Sequence, residues 1–195
     1  MNKGDKTKQF IIEKAAPIFN TKGIAATSMS DLMEATKLSK GSLYVHFENK
    51  NVLVNSAVDH NMQLLITKVN ASLSKHSIAK DKLFAFIDIF EDPLKPLVSG
   101  GCPMLNFGTE SDDTDDVVKM KVSKMVDFTQ KTIAEIIESG IKQGAFKPEW
   151  DYNEFATALF AMIEGGILIS RVNGNNSKME VISKYLKKII EEHSL

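Results

Sequence analysis

The sequence predicts an all-α protein in which three short N-terminal helices precede a larger helical body. Three observations point there. Apolar residues recur at three- and four-residue spacing along almost the whole chain, the period of an amphipathic helix. The alternating apolar runs bounded by turn pairs that half-buried strands require are missing. Charge also divides the chain: residues 1–50 carry eight lysines against five acids, net +3, whereas residues 51–195 carry 16 basic and 20 acidic residues, net −4.

Composition bounds the class. A chain of 195 residues with 43% hydrophobic and 25% charged residues matches an ordinary globular protein. No apolar run reaches the ~18 residues of a membrane span. The polar, lysine-rich start (MNKGDKTKQF) lacks the apolar stretch of a secretory signal. The lone Cys102 excludes an internal disulfide and a cysteine-built zinc site. These features predict a cytoplasmic chain with no membrane partner, metal or other cofactor.

Each element follows from its pattern. Residues 7–22 form a first helix through Ile11, Ala15, Ile18 and Phe19, with Gly23 as its stop and Pro17 as an interior bend. Thr27 or Ser28 caps a second, short helix carrying Met29, Leu32 and Met33, which ends near Thr36 and Lys37. Leu38 plugs a tight turn. Ser39 caps a third helix over residues 40–47, with Leu43 and Phe47 inward at i and i+4. A long fourth helix opens at Asn49-Lys50-Asn51 and runs to about residue 77. A fifth covers residues 79–90, and then Pro93, Pro96, Gly100, Gly101 and Pro103 mark a loop region. A short helix spans residues 104–108. Ser111 or Asp112 caps a long helix to about residue 139, ended by Gly140 or Gly144. A strongly apolar helix over 152–172, a Gly174-Asn175-Asn176 turn and an amphipathic helix over 178–192 complete the chain.

The stretch 27–50 carries the most chemistry. Two short helices joined by a tight turn form a helix-turn-helix, whose second helix suits a DNA major groove. With Leu43 and Phe47 inward, its outward residues are Ser39, Lys40, Ser42, Tyr44, Val45 and His46. Ser39, Lys40, Gly41 and Ser42 lie at the helix start, where short side chains and exposed amides allow close approach. Lys40 can donate to guanine edges or phosphate, Tyr44 and His46 to backbone oxygens, and Thr27 and Lys50 are placed to do the same. The single arginine, Arg171, lies far from this segment, so bidentate guanidinium readout of guanine is excluded there.

Gly23-Ile24-Ala25-Ala26-Thr27-Ser28-Met29-Ser30-Asp31-Leu32, followed by Ser39-Lys40-Gly41-Ser42-Leu43-Tyr44-Val45-His46-Phe47-Glu48-Asn49-Lys50, closely resembles the DNA-binding domain of TetR-family transcriptional repressors. The resemblance covers about residues 7–55 and centres on the pattern LYxHFxxK. It implies a helix-turn-helix domain over residues 1–48 and an effector-binding, dimerising domain over 49–195, working as a homodimer on a near-palindromic operator. Carried over by position, Thr27, Ser39, Lys40, Gly41, Ser42, Tyr44, His46 and Lys50 fall where the family contacts DNA. The resemblance implies that base readout comes mainly from residues 39–42 and that Tyr44, His46, Thr27 and Lys50 hold phosphates. Gly101-Cys102-Pro103-Met104-Leu105-Asn106 with Glu110 is similar to a segment in one subset of the family, where it opens a helix beside the ligand cavity.

A sensor needs an apolar cavity with a few polar anchors. The expected lining is Met62, Leu65, Phe86, Phe90, Met104, Phe107, Met125, Phe128 and Met162, with Asn106, Glu110 and Glu164 as polar anchors, which suits a small, largely apolar effector. Taken one at a time, each of the apolar residues is accounted for better by plain core filling. For the dimer interface, Phe155, Leu159, Ile163 and Ile167 of one late helix and Ile182, Tyr185, Leu186 and Ile189 of the other are expected to build an isologous four-helix contact. The acidic run from Glu110 to Asp116 lacks the glycine and final glutamate of a calcium loop and complements a helix start. His46, His60, His76 and His193 form no zinc or triad motif, and no base neighbours Cys102, which argues against an enzyme. The reading is a DNA-binding repressor released when a small effector shifts the long fourth helix. Control by a protein partner or by oxidation of Cys102 is the alternative.

Overall fold

A computed structural model describes residues 2–195, and among them nine helices fold with no named strand. They are α1 (Lys3–Lys22), α2 (Met29–Thr36), α3 (Lys40–His46), α4 (Lys50–Leu73), α5 (Ala79–Asp88), α6 (Pro103–Ser111), α7 (Asp116–Lys142), α8 (Tyr152–Asn173) and α9 (Ser177–Glu192). The all-α expectation holds, and several boundaries move for local reasons. α1 starts four residues early because Asn2 and Asp5 close a capping box on each other's amides. The cap expected at Ser111 or Asp112 falls instead on Asp115, whose carboxylate accepts from the amides of Val117 and Val118, each at 3.0 Å. Asp112 closes α6 by donating its amide to Gly108. α7 passes through Gly140, and the left-handed stop is Gly144.

Spatial contacts group the chain differently from a cut at residue 48. One unit contains Met1–Leu65 with Val98–Lys124, and the other Ile66–Leu97 with Met125–Leu195. In the first, α1 buries Ile11, Ala15, Ala16 and Phe19, α2 adds Leu32, α3 adds Leu43, and α4 adds Leu53, Val54, Ala57 and Val58. α1 runs unbroken through Pro17. A proline there removes a backbone donor and costs about 3 kcal/mol, which burial of the flanking Ala15, Ala16 and Phe19 offsets. The buried Asn61 side chain donates to the Ala16 carbonyl at 2.9 Å and so pins α4 to the middle of α1.

In the second unit α8 lies against α9 with small residues at the crossing. A Cβ on Gly166 would sit 2.5 Å from the Met179 sulfur. α8 is the one helix among the described residues long and apolar enough to cross a membrane, yet Phe155, Leu159, Ile163 and Ile167 on its inner side are buried in this unit's core. Phe146, Trp150 and Phe155 pack edge-on or tilted, and His193 stacks on Trp150 at 4.6 Å. The last residues close over this cluster: Lys147 donates its amide to the His193 carbonyl, and Leu195 donates to that of Ala145. Ion pairs from Lys80 to Glu191 and from Lys187 to Asp88 join α5 to α9.

Gly140 lets α7 approach the Phe146 ring, because a Cβ there would lie 2.4 Å from it and 2.9 Å from the Ala79 side chain. Gly140→Ala is therefore expected to lower stability by about 1–3 kcal/mol in urea unfolding followed by circular dichroism. Ser139→Ala, at an exposed neighbouring position, should stay within about 0.5 kcal/mol of the parent.

Candidate nucleic-acid interface

The two short helices of the reader are set by their ends. Ser28 accepts from the Asp31 amide, and the Asp31 carboxylate accepts from the Ser28 amide, which starts α2. Lys22 donates to both oxygens of that carboxylate at 2.8 and 2.7 Å. The Lys22 ammonium and the Ser28 hydroxyl hold the Asp31 carboxyl well below its ordinary range. At the other end, the Thr36 hydroxyl donates to the Leu32 carbonyl at 2.7 Å and accepts from the Leu38 amide. The chain then reverses through Lys37, the one residue other than glycine at positive φ (58°) among those described. Ser39 opens α3 by accepting from the Ser42 amide, and the two serine hydroxyls lie 2.9 Å apart.

α3 has a buried and an open side. Leu43 and Phe47 are buried, while Lys40, Gly41, Tyr44 and Val45 are exposed, Val45 to 80%. A side chain at Gly41 would meet nothing within 4 Å, so a flat partner can reach the backbone there. The Lys40 ammonium stands 6.0 Å over the Tyr44 ring. Ser42 and His46 are half-buried at the edges of this face. An exposed amine, a phenol, an imidazole and hydroxyls over a bare backbone patch form a donor-rich surface suited to phosphate and base edges.

Two expected DNA contacts have other partners. Thr27 is 1% exposed and donates its hydroxyl to the Gly23 carbonyl at 2.6 Å. Lys50 donates to the Ile24 carbonyl at 2.6 Å, with its ammonium 6.0 Å from the Phe19 ring. Conversely, Lys8 stands with its ammonium 5.4 Å over the Phe47 ring, an exposed amine beside the end of α3. No spacing rule links it to α3, because it lies on α1.

The expected effector-pocket residues scatter. Met62, Leu65, Met104 and Phe107 are buried in the first unit, and Phe86 and Met125 in the second, where Phe90 and Met162 are half-buried. Phe128 is exposed rather than walled in. Asn106 and Glu110 are occupied by backbone groups of the first unit. The Glu110 oxygens accept from the amides of Ile24 (2.8 Å) and Ala25 (2.7 Å), and the Asn106 amide donates to Asn20 and Gly100. Cys102 is buried at the start of α6. No group of three or more His, Cys, Asp or Glu among the described residues gathers into a metal site.

The expected interface residues divide by burial. Phe155, Leu159, Ile163, Ile167 and Leu186 are buried in the single chain's own core. Tyr185 is exposed, and Ile182 and Ile189 are half-exposed. Exposed apolar residues stand on the same two helices: Leu168, Ile169 and Val172 on α8, and Val181 on α9. At i, i+1 and i+4 on α8, and with Tyr185 at i and i+4 on α9, they share an outward side of each helix.

A family model described as bacterial regulatory proteins, tetR family, matches residues 11–57, and one described as tetracyclin repressor-like, C-terminal domain, matches residues 79–186. A solved TetR-family transcriptional regulator from Cytophaga hutchinsonii is 36% identical, with a TM-score of 0.95 over 100% of this chain and 98% of that one. Another, from Chloroflexus aurantiacus J-10-FL, is 33% identical, with a TM-score of 0.94 over the same shares. The HTH-type transcriptional repressor DhaR of Mycobacterium sp. (strain GP1) is 23% identical over 173 residues, 89% of this chain and 86% of its own.

Two outcomes test the geometry of the reader. Left-handed backbone at a lysine is strained, so Lys37→Gly should keep or raise the unfolding midpoint; a clear drop would show that the lysine side chain does more than tolerate the turn. Because the Asp31 carboxyl is held well below the ordinary carboxylate range, it contributes stability above about pH 4 that is lost as the pH falls further. Asp31→Asn should therefore lose less stability than the parent between about pH 5 and about pH 2.

Proposed function

Because the chain belongs to the tetR family of bacterial transcriptional regulators, we propose that it is a repressor that binds a near-palindromic operator as a homodimer and is released by a small, largely apolar effector. The observation that carries this reading is the open side of α3, where Lys40, Gly41 and Tyr44 stand over a buried Leu43 and Phe47. In this reading Ser39, Lys40, Gly41 and Ser42 meet base edges, and Tyr44, His46 and Lys8 take phosphates. Thr27 and Lys50 serve from behind by holding the Gly23–Ala25 connection. Such a role places the protein in the cytoplasm with its DNA.

Two copies are needed to span two half-sites about one helical turn apart, or a small multiple of it. The outer stripes of α8 and α9 support an isologous contact, since Leu168, Ile169, Val172, Val181 and Tyr185 leave large apolar side chains in water in a single chain. Release follows if the effector binds more tightly to a dimer whose readers are spread beyond the operator spacing.

Selection of bound duplexes from a random pool should enrich a palindrome. Against that duplex, Lys40→Ala and Tyr44→Ala should weaken binding about tenfold or more with folding unchanged, and loss of a phosphate contact should flatten the log–log salt slope by about 1. Unaltered affinity would remove α3 from the interface. Val172→Glu combined with Tyr185→Glu should yield a folded monomer by light scattering; a persistent dimer would place the contact elsewhere.

A further inference from the structure

The helix that begins at the Gly100-Gly101-Cys102-Pro103 turn is grouped in space with the reader, although more than fifty residues of chain separate it from α3. The turn itself is moulded to the end of α1. Gly100 and Gly101 have φ of 97° and 111°, and a Cβ on Gly100 would lie 2.7 Å from the Asn20 carbonyl oxygen. Asn20, only 3% exposed, donates to the carbonyls of Ser99 (2.7 Å) and Gly101 (3.1 Å). Asn106 answers from α6, donating to the Asn20 carbonyl (2.9 Å), the Asn20 side-chain oxygen (3.2 Å) and the Gly100 carbonyl (3.1 Å).

One turn further along the same face of α6, Glu110 reaches the connection between α1 and α2. Its two oxygens accept from the consecutive amides of Ile24 and Ala25, while Lys50 takes the Ile24 carbonyl and Thr27 that of Gly23. Gly23, at φ 89°, has no side chain to obstruct the carboxylate, which lies 3.2 Å from where a Cβ would stand. Ala25 is exposed and Ile24 half-buried, so water could satisfy these amides if Glu110 were absent. What the carboxylate supplies is therefore a fixed path for the connection that hands the chain from α1 to α2, and so the placement of α3.

We infer that Asn106 and Glu110 are positioning residues of the DNA reader, which set operator affinity through the α1–α2 connection without touching DNA. This rests on the operator-binding reading above and assigns the polar residues of the α6 segment to that site rather than to the effector. Electrostatics gives the inference a distinctive sign. Removing a carboxylate from a protein that binds a polyanion should by charge alone leave binding unchanged or tighten it. Loss of positioning weakens binding to the cognate sequence only.

The test measures fluorescence anisotropy of the full chain with the enriched duplex and with a scrambled duplex of equal length. It compares the parent with Glu110→Gln, Glu110→Ala and Asn106→Ala, each also followed by thermal unfolding. The expected result is a loss of about tenfold or more for the enriched duplex, with scrambled-duplex affinity unchanged or higher. Amide exchange at Ile24 and Ala25 should quicken in the Glu110 variants. If Glu110→Ala fails to fold, the near-isosteric Glu110→Gln carries the same reading. Folded variants within twofold of the parent on the enriched duplex would overturn the inference, as would equal losses on both duplexes. A parent protein with no preference for any duplex would instead overturn the operator-binding reading itself.

Discussion

α3 has seven residues, well short of the ~12–15 at which an isolated helix begins to hold in water. Its existence depends on seating Leu43 and Phe47, one turn apart, in the core made by α1, α2 and the first turns of α4. The constraint is severe, because those two positions settle which residues are left outward. Ser39 then fixes where the helix starts, and the Phe47 amide closes it on the Leu43 carbonyl. The donor-rich outer face is thus a consequence of the buried one. Within the first unit, α1, α2 and α4 supply that seat, and Glu110 of α6 holds the connection leading into it.

Local rules made the reader legible. Ser28 with Asp31, Ser39 with Ser42, and the i, i+4 apolar pair are all encoded within four residues of one another, so spacing alone places α2 and α3 almost to the residue. What spacing could not show was the other end of each polar group. Thr27 and Lys50 read as free donors, yet their partners are carbonyls that face them only after α1 has turned at Gly23. Asn106 and Glu110 were legible as polar residues in an apolar helix, but their partners lie about 86 positions away. A contact of that separation leaves no periodic trace.

The late helices show the same limit in a different form. α8 is apolar on several sides, so periodicity cannot say which side turns inward. Here the inner stripe won the residues that looked most suited to a partner, and Gly166 allowed the close α8–α9 approach that buried them. The outer stripe is what remains, and its residues recur at the same helical spacing as the inner ones, so the pattern could not rank the two. The acidic run at the start of α7 behaved as its chemistry suggested: Asp115 caps the helix and its neighbours remain in water.

The sole tryptophan gives the protein a built-in optical asymmetry. Trp150 belongs to the second unit, enclosed by Phe146 and Phe155 and covered by the imidazole of His193. Its emission therefore reports directly on the packing of that unit, and the N-terminal helices hold no indole of their own. Set beside a whole-chain helical signal on one sample, it follows the loosening of that cluster with no label attached.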